Sequence, residues 1–228
     1  MQKLEAGIHQ FQAEYFASNR QLFEQLAENG QNPETLFITC SDSRVVPNLI
    51  TNAGPGELFI VRNIGNIVPS FDRGVMGGVA AAIEYAISVL EVGNIIVCGH
   101  TGCGAIKAIV DPEQVRRLPH VARWLAESER IPKLVEERYG HLEGEARMVA
   151  AVEENVLLQL ENLRSFDFIT KRLESGALKM NGWVFKIATG DVFDFDPRSG
   201  QFLKLGLGSQ EDRPALSVRG SAPPPPVR

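Results

Sequence analysis

The hydrophobic and polar positions of the chain predict short strands that alternate with helices. The predicted strands are apolar runs bounded by glycine, proline or asparagine. The first three are nearly continuous, as is typical of strands covered on both faces of a parallel sheet. The last two flank Pro197-Arg198-Ser199-Gly200 and predict a hairpin. The predicted strands are residues 35–39, 57–62, 94–98, 183–187, 191–196 and 201–205.

Helical periodicity fills the intervals between these runs. Residues 3–28 place apolar side chains at spacings of three, four and seven, which predicts an amphipathic helix with a break near Ser18 and Asn19. A helix before the first strand needs a surface to cover, either on its own core or on a second subunit. Further helices are predicted at residues 73–91, which are rich in glycine and alanine, and at 113–138, 145–163 and 165–176.

This alternation predicts an α/β fold with a central, mostly parallel β-sheet flanked by helices, an N-terminal helical arm (1–30) and a C-terminal hairpin. Residues 1–205 are expected to form a single domain, because their number is ordinary for one α/β unit. Residues 206–228 lose the apolar pattern and contain a run of four prolines. We expect them to form a disordered, proline-rich tail.

Composition narrows the class of protein. The chain has 228 residues, of which 44% are hydrophobic and 22% charged, and a formal net charge of −5. No basic block is present, so nucleic acid is not expected as a partner. The most apolar stretch, residues 74–93, is interrupted by Glu84 and Glu91, so no membrane span is expected. The start of the chain has no signal-peptide pattern, and we expect a cytoplasmic protein.

Two motifs that follow predicted strands carry the candidate chemistry. Cys40-Ser41-Asp42-Ser43-Arg44 follows the first strand, and His100-Thr101-Gly102-Cys103-Gly104 follows the third. Two cysteines and one histidine are a sufficient ligand set for a zinc ion with one open position, which is the arrangement of catalytic sites. The chain has three cysteines, an odd number that favours metal binding in a reducing compartment over a disulfide framework.

The positions of these motifs support a common site. Ligands bind beyond the carboxyl ends of the strands in open α/β sheets, and both motifs lie at such ends. Cys103 precedes a helix predicted from Ala105 to Val110, whose positive end favours the thiolate form. If the chain stays extended after Cys40, the side chains of Cys40, Asp42 and Arg44 point the same way.

The cysteine, arginine and histidine residues outside the two motifs are interpreted without a role in metal binding. Cys98 lies inside a strand and is interpreted as a small buried hydrophobic residue. Arg62 and Arg73 are interpreted as partners in ion pairs. The remaining histidines lie in helical or loop patterns and are interpreted as surface or packing residues, with a proton-shuttle role as the alternative: His9, His120 and His141. For the two motifs themselves, the alternative is a structural or redox cluster.

The paired motifs resemble those of the β-class carbonic anhydrases. Cys-Ser-Asp-Ser-Arg is followed about sixty residues later by Gly-His-Thr-Gly-Cys-Gly, and the similarity runs from Phe11 to Leu205. The resemblance implies a lyase that interconverts CO2 and bicarbonate by the attack of a metal-bound hydroxide on CO2. It also implies one Zn²⁺ per subunit, bound by Cys40, His100 and Cys103.

The resemblance implies roles for the residues around the metal as well. Asp42 and Arg44 would form a charged dyad beside zinc, in which Asp42 orients the hydroxide. If the dyad broke, Asp42 would become a fourth zinc ligand in a closed state. Gln31, Phe59 and Tyr85 match the substrate-binding residues of the plant-like branch of the family.

The subtype and the assembly follow from the same resemblance. Thr39 stands where the other branch of the family has the tryptophan of an inhibitory bicarbonate site, which favours the plant-like type. Dimers of the family share each active site across the interface, so we expect a homodimer as the minimal unit of a tetramer or hexamer. The start of the chain and residues 139–145 look most similar to bacterial and cyanobacterial members, some of them carboxysomal, which makes carboxysome proteins candidate partners.

Two other functions stay open at this point. One is hydrolysis of carbonyl sulfide or carbon disulfide by the same hydroxide, which would differ only in the shape of the substrate slot. The other is a scaffold role in a microcompartment, with a purely structural metal. The presence of Asp42, Arg44, Gln31 and Tyr85 argues against a loss of catalysis.

Overall fold

A six-stranded sheet forms the centre of the protein in a computed structural model that describes residues 1–71 and 77–206. The strand order is β2-β1-β3-β4-β5-β6. The first four strands in this order are parallel, and β5 and β6 are antiparallel. The predicted sheet and C-terminal hairpin are therefore confirmed. The strands are β1 (Thr35–Cys40), β2 (Leu58–Asn63), β3 (Asn94–His100), β4 (Lys179–Lys186), β5 (Asp191–Asp196) and β6 (Gln201–Lys204).

Helices precede the sheet and fill its crossover connections. Two of them form the predicted N-terminal arm, joined by a π-helical segment at Phe11–Phe16. The α-helices of the described residues are α1 (Gln2–Gln10), α2 (Arg20–Asn29), α3 (Pro47–Thr51), α4 (Gly78–Ser88), α5 (Gly104–Val110), α6 (Pro119–Leu125), α7 (Ile131–Tyr139), α8 (Gly144–Arg164) and α9 (Asp167–Glu174). Residues 73–76 of the predicted helix 73–91 lie outside the described residues.

The order of the strands reverses at β1. From β1 the chain goes to β2 on one side, and from β3 it goes to β4 on the other side. The connections after β1 and β3 therefore leave in opposite directions, which opens a crevice at the carboxyl ends of these two strands. Thr39 pairs with Cys98 in the parallel register, so Cys40 and His100 lie at neighbouring strand ends. Both predicted motifs thus face this crevice.

The two faces of the sheet have cores of unequal size. Ile38 and Val97 belong to the larger cluster, which includes most of the buried apolar side chains of α5, α7 and α8. Phe37, the residue before Ile38, and Cys98, the residue after Val97, belong to a smaller cluster on the other face. This alternation follows from the period of two along a strand. Cys98 is fully buried, which agrees with its interpretation as a hydrophobic residue.

Helix α8 approaches the sheet at two glycines. A Cβ atom at Gly99 in β3 would lie 2.8 Å from Val156 Cγ2 and 3.0 Å from Val152 Cγ1. A Cβ atom at Gly182 in β4 would lie 2.9 Å from Val156 Cγ1 and 3.0 Å from Leu160 Cδ1. These distances leave no room for a side chain, so the two glycines allow α8 to lie directly on the strands.

One predicted helix is wrong. Residues 113–138 are not continuous but form two short 3₁₀ turns and the separate helices α6 and α7. Pro119 and Pro132 lie at the first turns of α6 and α7. A proline lacks the backbone N–H that a helix interior needs, whereas it is compatible with a first turn, so each one begins a new helix.

The N-terminal arm has little contact with the core. No side chain of α1, of the π-helical segment or of α2 is buried. The arm touches the rest of the subunit through Leu26, whose Cδ2 atom would lie 2.8 Å from a Cβ at Gly56. The break predicted near Asn19 is present, because α2 begins at Arg20. The arm therefore leaves an apolar face exposed, including Leu4, Ile8, Phe11, Tyr15 and Leu22.

No helix within the described ranges is long and apolar enough to cross a membrane. The predicted tail falls almost wholly on residues 207–228, which lie outside the described residues, so the domain boundary at residue 205 stays a prediction.

The contact of α8 with the sheet leads to a stability prediction. We expect Gly182→Ala to lower the free energy of unfolding by about 1–3 kcal/mol, because the added methyl group overpacks the contact with Val156 and Leu160. Gly93→Ala is the control, since a Cβ there meets no atom within 4 Å, and we expect a change of about 0.5 kcal/mol or less. Denaturant unfolding at one protein concentration measures both. Equal effects of the two variants would contradict the close packing of α8.

Candidate metal centre

Three buried side chains converge in the crevice between β1 and β3. Cys40 ends β1, His100 ends β3, and Cys103 is the N-cap residue of α5. One ligand atom from each lies within 4.8 Å of the other two, and the two Sγ atoms are 3.9 Å apart. The structure therefore brings together the three residues that the sequence motifs suggested as metal ligands.

The imidazole of His100 is oriented for coordination. Its Nδ1 atom lies 3.0 Å from the carbonyl oxygen of Thr101. A carbonyl only accepts hydrogen bonds, so Nδ1 carries the proton and Nε2 keeps its lone pair. Nε2 is buried and has no hydrogen-bond partner among the residues that the structure describes. A buried lone pair beside two thiols fits a thiophilic metal ion such as zinc.

The two thiols of the cluster share their protons unequally. The pKa of Cys40 is lowered, chiefly by a hydrogen bond from Cys103 and against the opposing effect of burial, with smaller contributions from the backbone N–H groups of Gly65 and Asp42. The pKa of Cys103 is raised, first by its contact with Cys40 and then by burial. Cys40 is thus held as the thiolate, which is the form that binds a metal.

Helix α5 begins directly beneath the second thiol. The backbone N–H groups of Ala105 and Ile106 donate to the sulfur of Cys103 and oppose the rise of its pKa. These are the N–H groups that the first turn of a helix leaves without an intrahelical partner. The expectation that Cys103 lies at a helix start is confirmed.

Asp42 and Arg44 form a two-point ion pair at the mouth of the cluster. Arg44 Nε donates to Asp42 Oδ1 at 2.9 Å, and an Arg44 Nη atom donates to Asp42 Oδ2 at 2.7 Å. The backbone N–H of Arg44 also donates to Oδ1, at 3.0 Å, so the chain turns here. The condition of an extended segment after Cys40 is therefore not met. An aspartate that accepts a hydrogen bond from the N–H two residues later favours a turn over a strand.

The ion pair keeps the carboxyl group charged. The side-chain hydrogen bonds from Arg44 hold the pKa of Asp42 well below its usual value, against the opposing effect of desolvation. Oδ2 lies 3.8 Å from His100 Nε2, so the carboxylate borders the ligand cluster. Both of its oxygens are bound by Arg44, and the closed state with Asp42 as fourth ligand stays a prediction.

Arg62 stabilises the turn that carries this pair. Its Nε atom donates to the carbonyl oxygen of Cys40 at 3.2 Å, and an Nη atom donates to that of Asp42 at 2.8 Å. Arg62 therefore fixes the backbone beside the candidate ligands, whereas an ion pair was expected for it from the sequence. Arg73, assigned in the same way, lies outside the described residues.

A set of buried amides on α8 holds the loop that follows β2. Asn155 Nδ2 donates to the carbonyl oxygen of Gly65 at 3.1 Å, Gln159 Oε1 accepts from the N–H of Val68 at 2.8 Å, and Asn162 Nδ2 donates to Val68 O at 2.8 Å. Sequence reasoning missed these residues. The available signal was three amides spaced by four and three, which places them on one face of the helix.

The three predicted substrate residues lie away from the cluster of their own subunit. Phe59 pairs with Leu36, four residues before Cys40, which corresponds to about 13 Å along the strand. Tyr85 packs on Phe59 with ring centroids 6.0 Å apart and is 44% exposed. Gln31 is exposed and precedes the amino end of β1. The structure therefore joins Phe59 to Tyr85 but joins neither ring to Cys40.

The remaining cysteine and histidines are separate from the centre. Burial raises the pKa of Cys98 to about 12, so its thiol stays protonated. His9, His120 and His141 are all exposed, as expected of surface residues. Thr39 occupies the position at which the other branch of the resembled family has a tryptophan. It is buried, and its hydroxyl donates to the carbonyl oxygen of Cys98 at 2.8 Å.

Comparison with known proteins identifies the family. Residues 35–192, more than half of the chain, match the family described as Carbonic anhydrase. A carbonic anhydrase of Synechocystis sp. is 47% identical over 197 residues, which cover 86% of this chain and 71% of that protein. A carbonic anhydrase of Pseudomonas aeruginosa is 42% identical over 217 residues, which cover 95% of each chain.

Solved structures agree with the sequence comparisons. The structure of the β-carbonic anhydrase CcaA superposes with a TM-score of 0.87 at 45% identity, over 91% of this chain and 92% of that one. One of two tetrameric β-carbonic anhydrases of Sordaria macrospora has a TM-score of 0.76 at 27% identity, over 85% of this chain and 95% of that one. The chain belongs to the β-class carbonic anhydrases, a family of zinc-dependent lyases that hydrate CO2.

Proposed function

We propose that this chain binds one Zn²⁺ per subunit through Cys40, His100 and Cys103 and catalyses the reversible hydration of CO2 to bicarbonate. The observation that carries the proposal is the buried Nε2 atom of His100, which has no hydrogen-bond partner in the described part of the chain and lies beside two cysteine sulfurs. The three side chains would hold a zinc ion through two sulfurs and one imidazole nitrogen, which is a ligand set of catalytic zinc sites.

Zinc supplies a Lewis acid that lowers the pKa of a coordinated water and so makes a nucleophile available near neutral pH, which is its established role in carbonic anhydrases with three histidine ligands. Two thiolate ligands would cancel the charge of a bound zinc ion, so the ion would acidify water less strongly. Activation of the nucleophile would then depend more on nearby residues of the chain. This makes the acceptor beside the cluster, Asp42, central to the proposed mechanism.

Asp42 orients the nucleophile in this proposal. Its carboxylate borders the cluster, with Oδ2 3.8 Å from His100 Nε2, and is held by two hydrogen bonds from Arg44. An ionised carboxylate accepts a hydrogen bond from the attacking oxygen and thereby directs a lone pair of that oxygen at the carbon of CO2. Arg44 is itself fixed by a contact of an Nη atom with the carbonyl oxygen of Gly102 at 3.3 Å.

We infer that Gln31, Phe59 and Tyr85 complete the site of a partner subunit. Within its own subunit, β1 alone separates Gln31 from Cys40 by a distance of about 16 Å. An open cavity of about 650 Å³ lies at the amino ends of β1 and β2, lined by residues that include Gly30, Asn32 and Leu58. A partner that docks there can use Gln31 as a hydrogen-bond donor to bicarbonate and the two rings as an apolar wall for CO2.

Exposed apolar surface supports such a dimer. The arm exposes Leu4, Ile8 and Phe11, and α4 exposes Tyr85 together with the small side chain of Ala81. Apolar patches that a subunit leaves uncovered are typical of interfaces. The Sordaria macrospora relatives are tetrameric, which is consistent with a dimer as the minimal unit. Thr39, in place of a tryptophan, supports the plant-like type without an inhibitory bicarbonate site.

Isotope exchange between CO2 and water tests the proposed reaction. We expect the zinc-loaded protein to catalyse exchange, and we expect Asp42→Asn to lower the rate at least about 100-fold, because a neutral amide no longer provides the charged acceptor. The matched control is Asp196→Asn, since Asp196 also pairs with an arginine two residues later, in the β5–β6 hairpin. We expect the control to exchange at the wild-type rate.

The outcomes separate the parts of the proposal. A zinc-loaded wild-type protein that fails to exchange isotope would contradict the proposed reaction. A near-normal rate in Asp42→Asn would contradict only the role given to Asp42. Bound zinc is measured in each sample, so that a loss of metal is not mistaken for a loss of the acceptor.

Subunit mixing tests the shared site. Gln31→Ala and Asp42→Asn are unfolded together and refolded at equal concentrations. If Gln31 acts across the interface, each mixed dimer has one site with both residues intact, and we expect about one quarter of the wild-type exchange rate. If Gln31 acts within its own subunit, no intact site forms, and the mixture is no more active than the mean of the two variants alone. That second result would contradict the shared site.

A further inference from the structure

One peptide group links a tryptophan to a proposed zinc ligand. The indole Nε1 of Trp124, on α6, donates to the carbonyl oxygen of Ile64 at 2.8 Å. The N–H of the same peptide unit belongs to Gly65, and it lies close enough to the sulfur of Cys40 to help lower the pKa of that thiol. Because the peptide is planar, the orientation of its carbonyl fixes the orientation of its N–H. Trp124 therefore acts on the ligand through a single rigid group.

The next peptide unit is held as well. The carbonyl oxygen of Gly65 accepts from Asn155 Nδ2 at 3.1 Å. Asn155 Oδ1 in turn accepts from Gln159 Nε2 at 2.9 Å and contacts the hydroxyl of Ser128 at 3.2 Å. These groups are buried, so the amide of Asn155 has little freedom to turn. Gly65 is thus fixed by hydrogen bonds to the peptide units on both of its sides.

The loop also lies close to helix α5 at Gly65. Gly65 has φ +82°, and a Cβ atom there would lie 3.0 Å from the Cβ of Ala105 in α5. The loop therefore packs closely against the first turn of α5, and a side chain at residue 65 would displace it.

We propose that Trp124 is a positioning residue of the metal centre, whose indole N–H holds the Ile64–Gly65 peptide so that its N–H is directed at the Cys40 sulfur. The inference rests on the proposed zinc site. A donor to a coordinated thiolate withdraws charge from the sulfur, and hydrogen bonding at the carbonyl strengthens the N–H of the same peptide as a donor. Loss of such outer contacts typically lowers metal affinity 10- to 100-fold.

The other tryptophan of the chain provides a matched control. Trp183 Nε1 is buried and has no hydrogen-bond partner in residues 1–71 and 77–206. Its ring packs on Phe37, at 6.0 Å between centroids, in the smaller core cluster on the opposite face of the sheet from Cys40. Replacement of either tryptophan by phenylalanine removes one indole N–H, but only at Trp124 does this remove a hydrogen bond to the loop.

The test compares Trp124→Phe with Trp183→Phe in the full-length protein. Each protein is loaded with Co²⁺, and the thiolate-to-cobalt charge-transfer absorption is recorded. Zinc affinity is measured by competition with a chelator. For Trp124→Phe we expect a shift of the charge-transfer band and zinc binding about 10-fold weaker than in the wild type. For Trp183→Phe we expect the wild-type spectrum and affinity.

Amide hydrogen exchange of the metal-free proteins gives a readout independent of activity and of metal. We expect the N–H of Gly65 to exchange about 10-fold faster in Trp124→Phe than in Trp183→Phe, while amides of α8 exchange alike in both. An unchanged band, affinity and exchange rate in Trp124→Phe would overturn the inference, as would equal effects in Trp183→Phe. A wild-type protein that binds neither Co²⁺ nor Zn²⁺ would instead overturn the proposed function on which the inference rests.

Discussion

The parallel pairing of β1 with β3 is the constraint on which the rest of the structure depends. Its register, Thr39 opposite Cys98, brings Cys40 and His100 to neighbouring strand ends. The chain leaves these ends in opposite directions, so the crevice stays open between them. A slip of one residue would turn Cys40 to the other face of the sheet and separate it from Cys103. Strand pairing thus sets the positions of two candidate metal ligands, Cys40 and His100.

Helix α8 connects the packing of the sheet to the chemistry of the site. One part of it lies on the glycines of β3 and β4, with Val156 in contact with both. Its buried amides, including Asn155 and Gln159, hold the loop after β2, whose peptide N–H reaches the Cys40 sulfur. Because buried amides are costly to leave without partners, this network favours one loop conformation. The same helix therefore supplies both stability and precision at the ligand cluster.

Sequence reasoning predicted the parts of the fold that depend on periodicity, and it selected from short motifs the three side chains that converge in the crevice. The strands ending at Cys40 and His100 are examples, because continuous apolar runs allow few other structures. Sequence reasoning was less successful where a local interaction outweighs the hydrophobic periodicity. Pro119 begins a helix within an apparently continuous one. Asp42 accepts a hydrogen bond from the N–H of Arg44, so the segment after Cys40 turns instead of continuing the strand. Contacts between residues distant in sequence, such as that of Trp124 with the loop after β2, leave no periodic signal.

The identity of the atoms around the metal is the most direct test of this account. An X-ray absorption spectrum at the zinc edge of the zinc-loaded protein measures them. Coordination by Cys40, His100 and Cys103 predicts two sulfur neighbours at about 2.3 Å, one imidazole nitrogen at about 2.0 Å and one further light-atom ligand. A first shell with four sulfurs, one without an imidazole nitrogen, or a protein that retains no zinc would contradict it.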